Sequence, residues 1–269
     1  MVPMIRKELR QRMRERRAWL LPTLYLLALG AAVALAYFEA ANVNGGKRAD
    51  VQGADIGEAV FGTVAFTQMA VLLLLAPAFS AGGLTIEKEQ RTLAGLLTSL
   101  LNPPEIWWGK FVSSFLFLIV LQVSALPILS LSFALGGVSP GDVLSVSGIT
   151  LVVLASVCSI ALWCSSFFRR SVHATAASYG IVIVLSVLPV VAYGILDKAF
   201  SLDSGAMGGV WGWATQTLYP NPFFPLFAVF SDTPPFDHHL GFSLLLIAGM
   251  GCLAAGGAMR NIARGGEQV

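Results

Sequence analysis

Six long apolar runs contain none of the chain's charged side chains, although 17 Lys and Arg and 15 Asp and Glu are distributed over the rest of the sequence. A charge at the centre of a bilayer costs about 2.5–3.5 kcal/mol even on a lenient insertion scale. The absence of charged side chains from the six runs therefore indicates that these runs lie in a lipid bilayer. Backbone polar groups in lipid must be satisfied within their own segment, which predicts an all-α integral membrane protein with six transmembrane helices. The runs are residues 18–38, 59–81, 111–135, 143–168, 174–196 and 240–259.

The Lys and Arg residues are distributed unequally between the two sides of the membrane. Fourteen of the 17 lie on the side that holds both termini, against Lys47, Arg48 and Lys198 on the other. Because positive charge is retained in the cytoplasm, both termini are predicted to be cytoplasmic. Residues 1–17 are basic with apolar residues at helical spacing and are predicted to form an interfacial helix, whereas residues 18–269 form the six-span domain.

The connection between spans five and six, residues 197–239, contains an uncharged stretch that is long enough for a seventh span. Pro220, Pro222 and Pro225 interrupt this stretch, and prolines remove backbone donors and break a continuous helix. A re-entrant segment is therefore predicted, with two short helices at about 209–218 and 223–230 that dip into the outer leaflet. Its aromatic face suits the interface and supplies candidates for an external gate. These candidates are Trp211, Trp213, Phe223, Phe224 and Phe227.

The first inner loop, residues 82–110, contains an amphipathic pattern over residues 85–101. Thr85 is the predicted N-cap, with acidic residues in or near the first turn, and Asn102-Pro103-Pro104 ends the helix. The leucines from Leu93 onward recur at three- and four-residue intervals. Because a helix that binds anionic lipid would carry a basic face, the mixed charges of this segment favour docking to a cytoplasmic protein.

This segment resembles the permease subunit of type-2 ATP-binding-cassette exporters. The resemblance lies in the run from Glu87 to Leu97, in Asn102-Pro103, and in Gly109-Lys110 at the start of a span. Arg91 stands where a glycine is usual in that family. The resemblance extends over the chain as a basic first segment, six spans, a long first inner loop and an aromatic segment before the last span.

The resemblance implies a coupling helix at residues 85–101, seated in a cleft of a separate ATP-binding-cassette ATPase, with a smaller contact at the turn after span four. It also implies two such ATPases, a second permease that is identical or homologous, ATP and Mg on the partner, and the inner membrane of a prokaryote. The residues assigned to ATPase coupling are Thr85, Glu87, Glu89, Arg91, Thr92, Leu93, Leu97, Leu100, Arg169 and Arg170.

No sequence pattern suggests chemistry on this chain itself. The Gly-x-x-x-x-Gly-Lys-[Ser/Thr] loop that binds nucleotide phosphates does not occur, so no bound cofactor is expected and ATP hydrolysis is assigned to the partner. No catalytic residue is predicted, and no metal site, because His238-His239 suits a solvated loop end. No nucleic-acid partner is predicted, because topology explains the basic excess.

Polar residues within the spans bear on the cargo. Gln68 and Gln122 lie near the middle of spans two and three, where a buried amide needs a partner, so both are pathway candidates. Most span hydroxyls are expected to form interhelical hydrogen bonds. An uncharged pathway with a few amides favours an amphiphilic or apolar cargo, such as a lipid, glycolipid, drug-like molecule or peptide.

Two alternatives to an ATP-driven exporter stay open. An ion-coupled secondary transporter usually carries an intramembrane Asp, Glu or His, and this sequence has none within its spans. A non-transporting membrane scaffold subunit is the other alternative. The spans also lack the His-Glu-x-x-His, paired Asp or Ser–His arrangements of an intramembrane enzyme.

Overall fold

The computed structural model describes residues 17–43, 49–90, 102–200, 217–230 and 236–266, and every regular element in these ranges is an α-helix. Six of the helices are long and apolar enough to cross a membrane, and each predicted run lies on one of them to within one residue. The all-α, six-span fold class is therefore confirmed.

The predicted interfacial helix lies outside the described residues, apart from Arg17. The helices are α1 (Arg17–Val43), α2 (Ala49–Ser80), α3 (Gly82–Glu89), α4 (Pro103–Leu135), α5 (Pro140–Phe167), α6 (Ser171–Phe200), α7 (Phe224–Phe230) and α8 (Phe236–Gly266).

Several helices extend well beyond their apolar runs. Helix α2 begins at Ala49, ahead of the run that starts at residue 59, and α4 begins at Pro103, ahead of the run that starts at residue 111. A helix satisfies its own backbone groups, so it can leave the hydrocarbon region without losing hydrogen bonds. The two prolines expected to end the preceding helix are the first residues of α4, where a missing N–H costs nothing.

The connection from α4 to α5 is defined by its turn residues. Gly136 and Gly137 adopt positive φ angles of 90° and 83°, which residues with a Cβ rarely tolerate. Ser139 then caps α5 through a reciprocal capping box with Asp142, and Pro140 follows the cap. This short, well-capped turn places α4 and α5 side by side.

Helix α5 is the central helix of the described part, in contact with α2, α3, α4, α6, α7 and α8. Its most extensive neighbour is α8, and two glycines permit the close approach. A Cβ on Gly251 would lie 2.8 Å from Ser156 Cα, and one on Gly257 would lie 2.6 Å from Trp163 Nε1. By contrast, few residues of α6 are buried against the rest of the described chain.

The expectation that most span hydroxyls bond between helices is wrong for the described residues. The hydroxyls of Thr63, Ser156 and Ser178 donate instead to the carbonyl oxygen four residues earlier in their own helix, at 2.8, 3.0 and 2.7 Å. This back-bonding needs no partner helix and is always within reach. Tyr179 is an exception, because its hydroxyl donates to Leu74 O on α2 at 2.8 Å.

Candidate functional site

Helix α3, at the start of the connection between spans two and three, packs against the end of α5. The backbone N–H groups of Leu84 and Thr85 both donate to Ser165 Oγ, at 3.0 and 3.1 Å. The amide of Leu84, in the first turn of α3, lacks a partner within the helix, and the Ser165 hydroxyl supplies one. Gly83 permits this approach, because a Cβ there would lie 2.9 Å from Leu162 Cδ2.

Lys88 binds the carboxyl end of α5. Its ammonium donates to the carbonyl oxygens of Ser165, Ser166 and Phe168, at 3.0, 2.6 and 3.1 Å. The last carbonyls of a helix have no partner within the helix and carry the negative end of its dipole, so a cation is favoured there. The three bonds use all three donors of the ammonium group.

Glu89 extends the same contact to the next helix. Its carboxylate accepts a hydrogen bond from Ser171 N at 2.6 Å, at the first residue of α6, where the helix dipole favours an anion. Consecutive charged residues of α3 therefore hold the end of α5 and the start of α6. Arg169 and Arg170 lie in the turn between these helices, and both side chains are exposed.

A third charged residue of α3 faces α4. Glu87 forms an ion pair with Lys110 at 3.0 Å, and the Lys110 side chain is only 8% exposed. The carboxyl end of α3 thus contacts α4, α5 and α6 through adjacent charges. From α8, Asn261 donates to Ser166 Oγ at 2.9 Å, which brings the sixth span to the same place.

Part of the predicted docking segment is engaged in contacts within the chain. Glu87 and Lys88 are part-buried and engaged within the chain, whereas Glu89 and Gln90 are exposed. The predicted N-cap role of Thr85 is wrong, because α3 begins at Gly82 with Ala81 as its cap. The Thr85 hydroxyl donates instead to Ala81 O at 3.1 Å, inside the helix. The predicted coupling residues Arg91, Thr92, Leu93, Leu97 and Leu100 lie outside the described residues.

Sequence reasoning missed Lys88, Ser165 and Lys110 as parts of this site. Lys88 and Lys110 belong to the mixed charges of the predicted docking segment, and Ser165 lies inside a long apolar run. A serine pair at the end of the run, directly before Phe-Phe-Arg-Arg, was the one usable sign. It marks a helix end that needs polar partners.

The two interior amides lie where the sequence placed them. Gln68 on α2 and Gln122 on α4 are 0% and 2% exposed, and their amide groups have no hydrogen-bond partner among the described residues. Ser114 Oγ donates to Phe79 O at 3.3 Å and fixes the register of the two helices. The two helices are antiparallel, so Gln68, which lies 11 residues before Phe79, is level with Ala125, which lies 11 residues after Ser114. Gln122 is three residues from Ala125, or about 4.5 Å along the helix axis.

The described part of the connection between spans five and six, residues 217–230, packs against four spans. Asn221 donates from Nδ2 to Ser186 O on α6 at 2.9 Å, and its Oδ1 accepts from Phe223 N at 2.8 Å. Helix α7 follows, in contact with α2, α5 and α8. Residues 217 and 218 form a turn and not the end of the predicted first short helix.

The gate candidates differ in their surroundings. Phe224 is buried and its ring lies 5.6 Å from that of Tyr219, Phe223 is half-buried, and Phe227 is 54% exposed. Phe230 packs on Phe61 of α2, with 5.4 Å between ring centroids. Trp211 and Trp213 lie outside the described residues. Phe227 is therefore the described candidate that faces outward.

The described residues contain no group of three or more His, Cys, Asp or Glu side chains that is arranged to hold a metal ion. The family model for the ABC-2 family transporter protein matches residues 2–225, which include five of the six spans. No curated protein matches the chain.

Proposed function

Because the chain belongs to the ABC-2 family of transporter proteins and is a multi-pass permease subunit of an ATP-binding-cassette transporter, we propose that it forms the translocation pathway of an exporter. Membership in this family implies an ATP-binding-cassette ATPase as its partner. In the proposed exporter this ATPase is cytoplasmic, binds ATP and Mg, and drives movement of the spans. The transporter contains two ATPases and a second permease, identical or homologous to this one.

One observation carries the coupling part of this proposal. Helix α3 and the turn at Arg169 and Arg170 are joined by hydrogen bonds into a single surface, to which the end of α8 also connects through Asn261. A partner that binds the first inner loop at this surface therefore also meets the second inner turn. The unequal distribution of Lys and Arg supports placing this surface and both termini in the cytoplasm, and the membrane is proposed to be the inner membrane of a prokaryote.

The interior supports an amphiphilic or apolar cargo. Gln68 and Gln122 are the buried amides among apolar neighbours on α2 and α4, and a buried amide without a partner is costly. In the proposed mechanism they meet polar atoms of the cargo, or water, at a depth near the middle of the spans. The apolar surroundings receive the rest of the molecule.

Charge reversal in the turn tests the ATPase contact. Arg169→Glu combined with Arg170→Glu is expected to lower the amount of ATPase that co-purifies with the chain in mild detergent by about tenfold, because like charges placed across an interface cost affinity. Both side chains are exposed, so membrane insertion should be unchanged. Glu58→Lys, an exposed reversal on α2, is the control and should retain the ATPase. Full co-purification with the double variant would contradict the docking surface.

Truncation of Phe227 tests the external gate. Phe227→Ala is expected to increase the leak of a water-soluble dye from proteoliposomes severalfold during ATP hydrolysis, because the proposed gate excludes water through apolar contact. Phe227 is a better position than Phe224, whose loss would leave a cavity in the packed interior. Leu245→Ala, which removes an exposed apolar side chain of α8, is the matched control. Equal leak from the two variants would show that residues 223–230 only anchor the segment at the interface.

A further inference from the structure

We propose that Lys88, Glu89 and Ser165 are positioning residues that make α3 and the α5–α6 turn move as one body during the ATPase cycle. We call their contacts the α3 latch: the two N–H groups on Ser165 Oγ, the Lys88 ammonium on three carbonyls, and the Glu89 carboxylate on Ser171 N. The inference rests on the proposed coupling function and goes beyond it, because it names the spans that receive the movement.

The latch joins groups that would otherwise be unsatisfied. Its hydrogen bonds use the Leu84 amide in the first turn of α3, the last carbonyls of α5 and the first amide of α6, which have no partner within their own helices. Four of the bonds involve an ionised group and are stronger than neutral ones. Separating α3 from the turn breaks these bonds together and exposes three helix ends.

The covalent connection from α3 to α2 runs through Ala81, which has helical dihedral angles and donates to Pro77 O at 2.9 Å, and then through two glycines. Only Ala81 separates the end of α2 from the start of α3, and the first two residues of α3 are Gly82 and Gly83. Glycine has a wide choice of backbone conformations and weakens a helix by about 1 kcal/mol relative to Ala. A force on α3 therefore bends the chain at these glycines more easily than it opens the latch.

Spans four and five are thus the ones that follow α3 through the latch. The sixth span is connected to them by Asn261, which donates a hydrogen bond to Ser166 Oγ at the end of α5. The ion pair between Glu87 and Lys110 connects α3 to α4 separately, and the latch residues are not part of it. Variants of Lys88 therefore test the connection to spans four and five and leave this ion pair in place.

The test is a spin-label distance between Gln90 and His173, two exposed positions at the end of α3 and in the first turn of α6. Both are changed to Cys in a chain in which Cys158, Cys164 and Cys252 are replaced by Ala. The complex with its co-purifying ATPase is measured without nucleotide and after trapping with ATP and vanadate. The variants are Lys88→Met, Lys88→Arg as the conservative rescue, and Lys198→Met as a matched loss of a lysine at the other end of α6.

The latch predicts a narrow distance that is the same in both states for the unmodified chain, Lys88→Arg and Lys198→Met. In Lys88→Met the distance distribution should broaden and shift on trapping, while ATP hydrolysis continues. An unchanged distance in Lys88→Met would overturn the proposal, as would a distance that shifts on trapping in the chain with Lys88. If Lys88→Met does not fold, Glu89→Ala, at an exposed position, takes its place with the same two outcomes. If no ATPase co-purifies, the proposed function fails, and the distance in the chain alone, with and without Lys88, still decides the latch.

Discussion

Glu87→Ala is expected to destabilise the folded chain by about 3 kcal/mol, the low end of the range for breaking a buried ion pair. The cost arises because Lys110, with a side chain that is 8% exposed, loses the Glu87 carboxylate that its ammonium contacts at 3.0 Å. Lys110→Met should cost less, about 1 kcal/mol, because the Glu87 side chain is 25% exposed and water can solvate its carboxylate. The thermal-denaturation midpoint in mild detergent measures both effects.

The double variant Glu87→Ala with Lys110→Met completes this comparison. Since this variant removes the Lys110 charge together with its Glu87 partner, it should be more stable than Glu87→Ala alone, and the cycle then yields the coupling between the two residues. Glu58→Ala, at an exposed position on α2, is the control and should leave the midpoint within the error of the measurement. Equal costs for Glu87→Ala and Lys110→Met would mean that burial of Lys110 does not decide the effect.

Gly251→Ala is expected to destabilise the chain by about 1–3 kcal/mol, because overpacking forces a shift of neighbouring atoms. The added Cβ would meet Ser156 Cα at 2.8 Å, and a backbone atom cannot rotate away as a side chain does. Gly249→Ala is the matched control, two residues earlier in α8, where a Cβ would have no atom within 4 Å. That change should instead be stabilising by up to about 1 kcal/mol, from the higher helix propensity of Ala.

The opposite signs at Gly251 and Gly249 make this pair informative. Both changes add one methyl group to the same helix, so differences in expression or in detergent affect them alike. The measurement is again the thermal-denaturation midpoint of the purified chain. A loss of stability at Gly249 equal to that at Gly251 would contradict the close contact between α8 and α5.

The six spans were predictable because a single physical quantity, the cost of a charge in lipid, decides them. The helix ends were less predictable, since hydropathy reports where the hydrocarbon ends and not where the helix does. Helix α4 begins at Pro103 for this reason, although its apolar run begins at residue 111. The start of α3 at Gly82 was missed because Thr85 is a good N-cap by residue type, whereas the first-turn amide of Leu84 finds its partner in Ser165, far away in sequence.

The partners of the charged residues could not be predicted from the sequence. Glu87, Lys88 and Glu89 are adjacent on α3, and their contacts go to three different helices. Local spacing contains no information about such distant partners. Local spacing also could not show that span hydroxyls such as that of Thr150 donate to a carbonyl of their own helix. Which carbonyl a hydroxyl binds depends on whether a neighbouring helix offers an acceptor.

The binding of Lys88 to the end of α5 restricts how this chain can be recombined with related permeases. A connection between spans two and three that is exchanged from another permease brings its own residue to the position of Lys88, but the carbonyls that accept the Lys88 hydrogen bonds belong to Ser165, Ser166 and Phe168. A chimera that transfers residues 82–110 alone divides this pairing between two parents. Design of hybrid transporters should therefore treat residues 82–110 and 165–171 as one exchangeable unit, although 54 residues separate them in the chain.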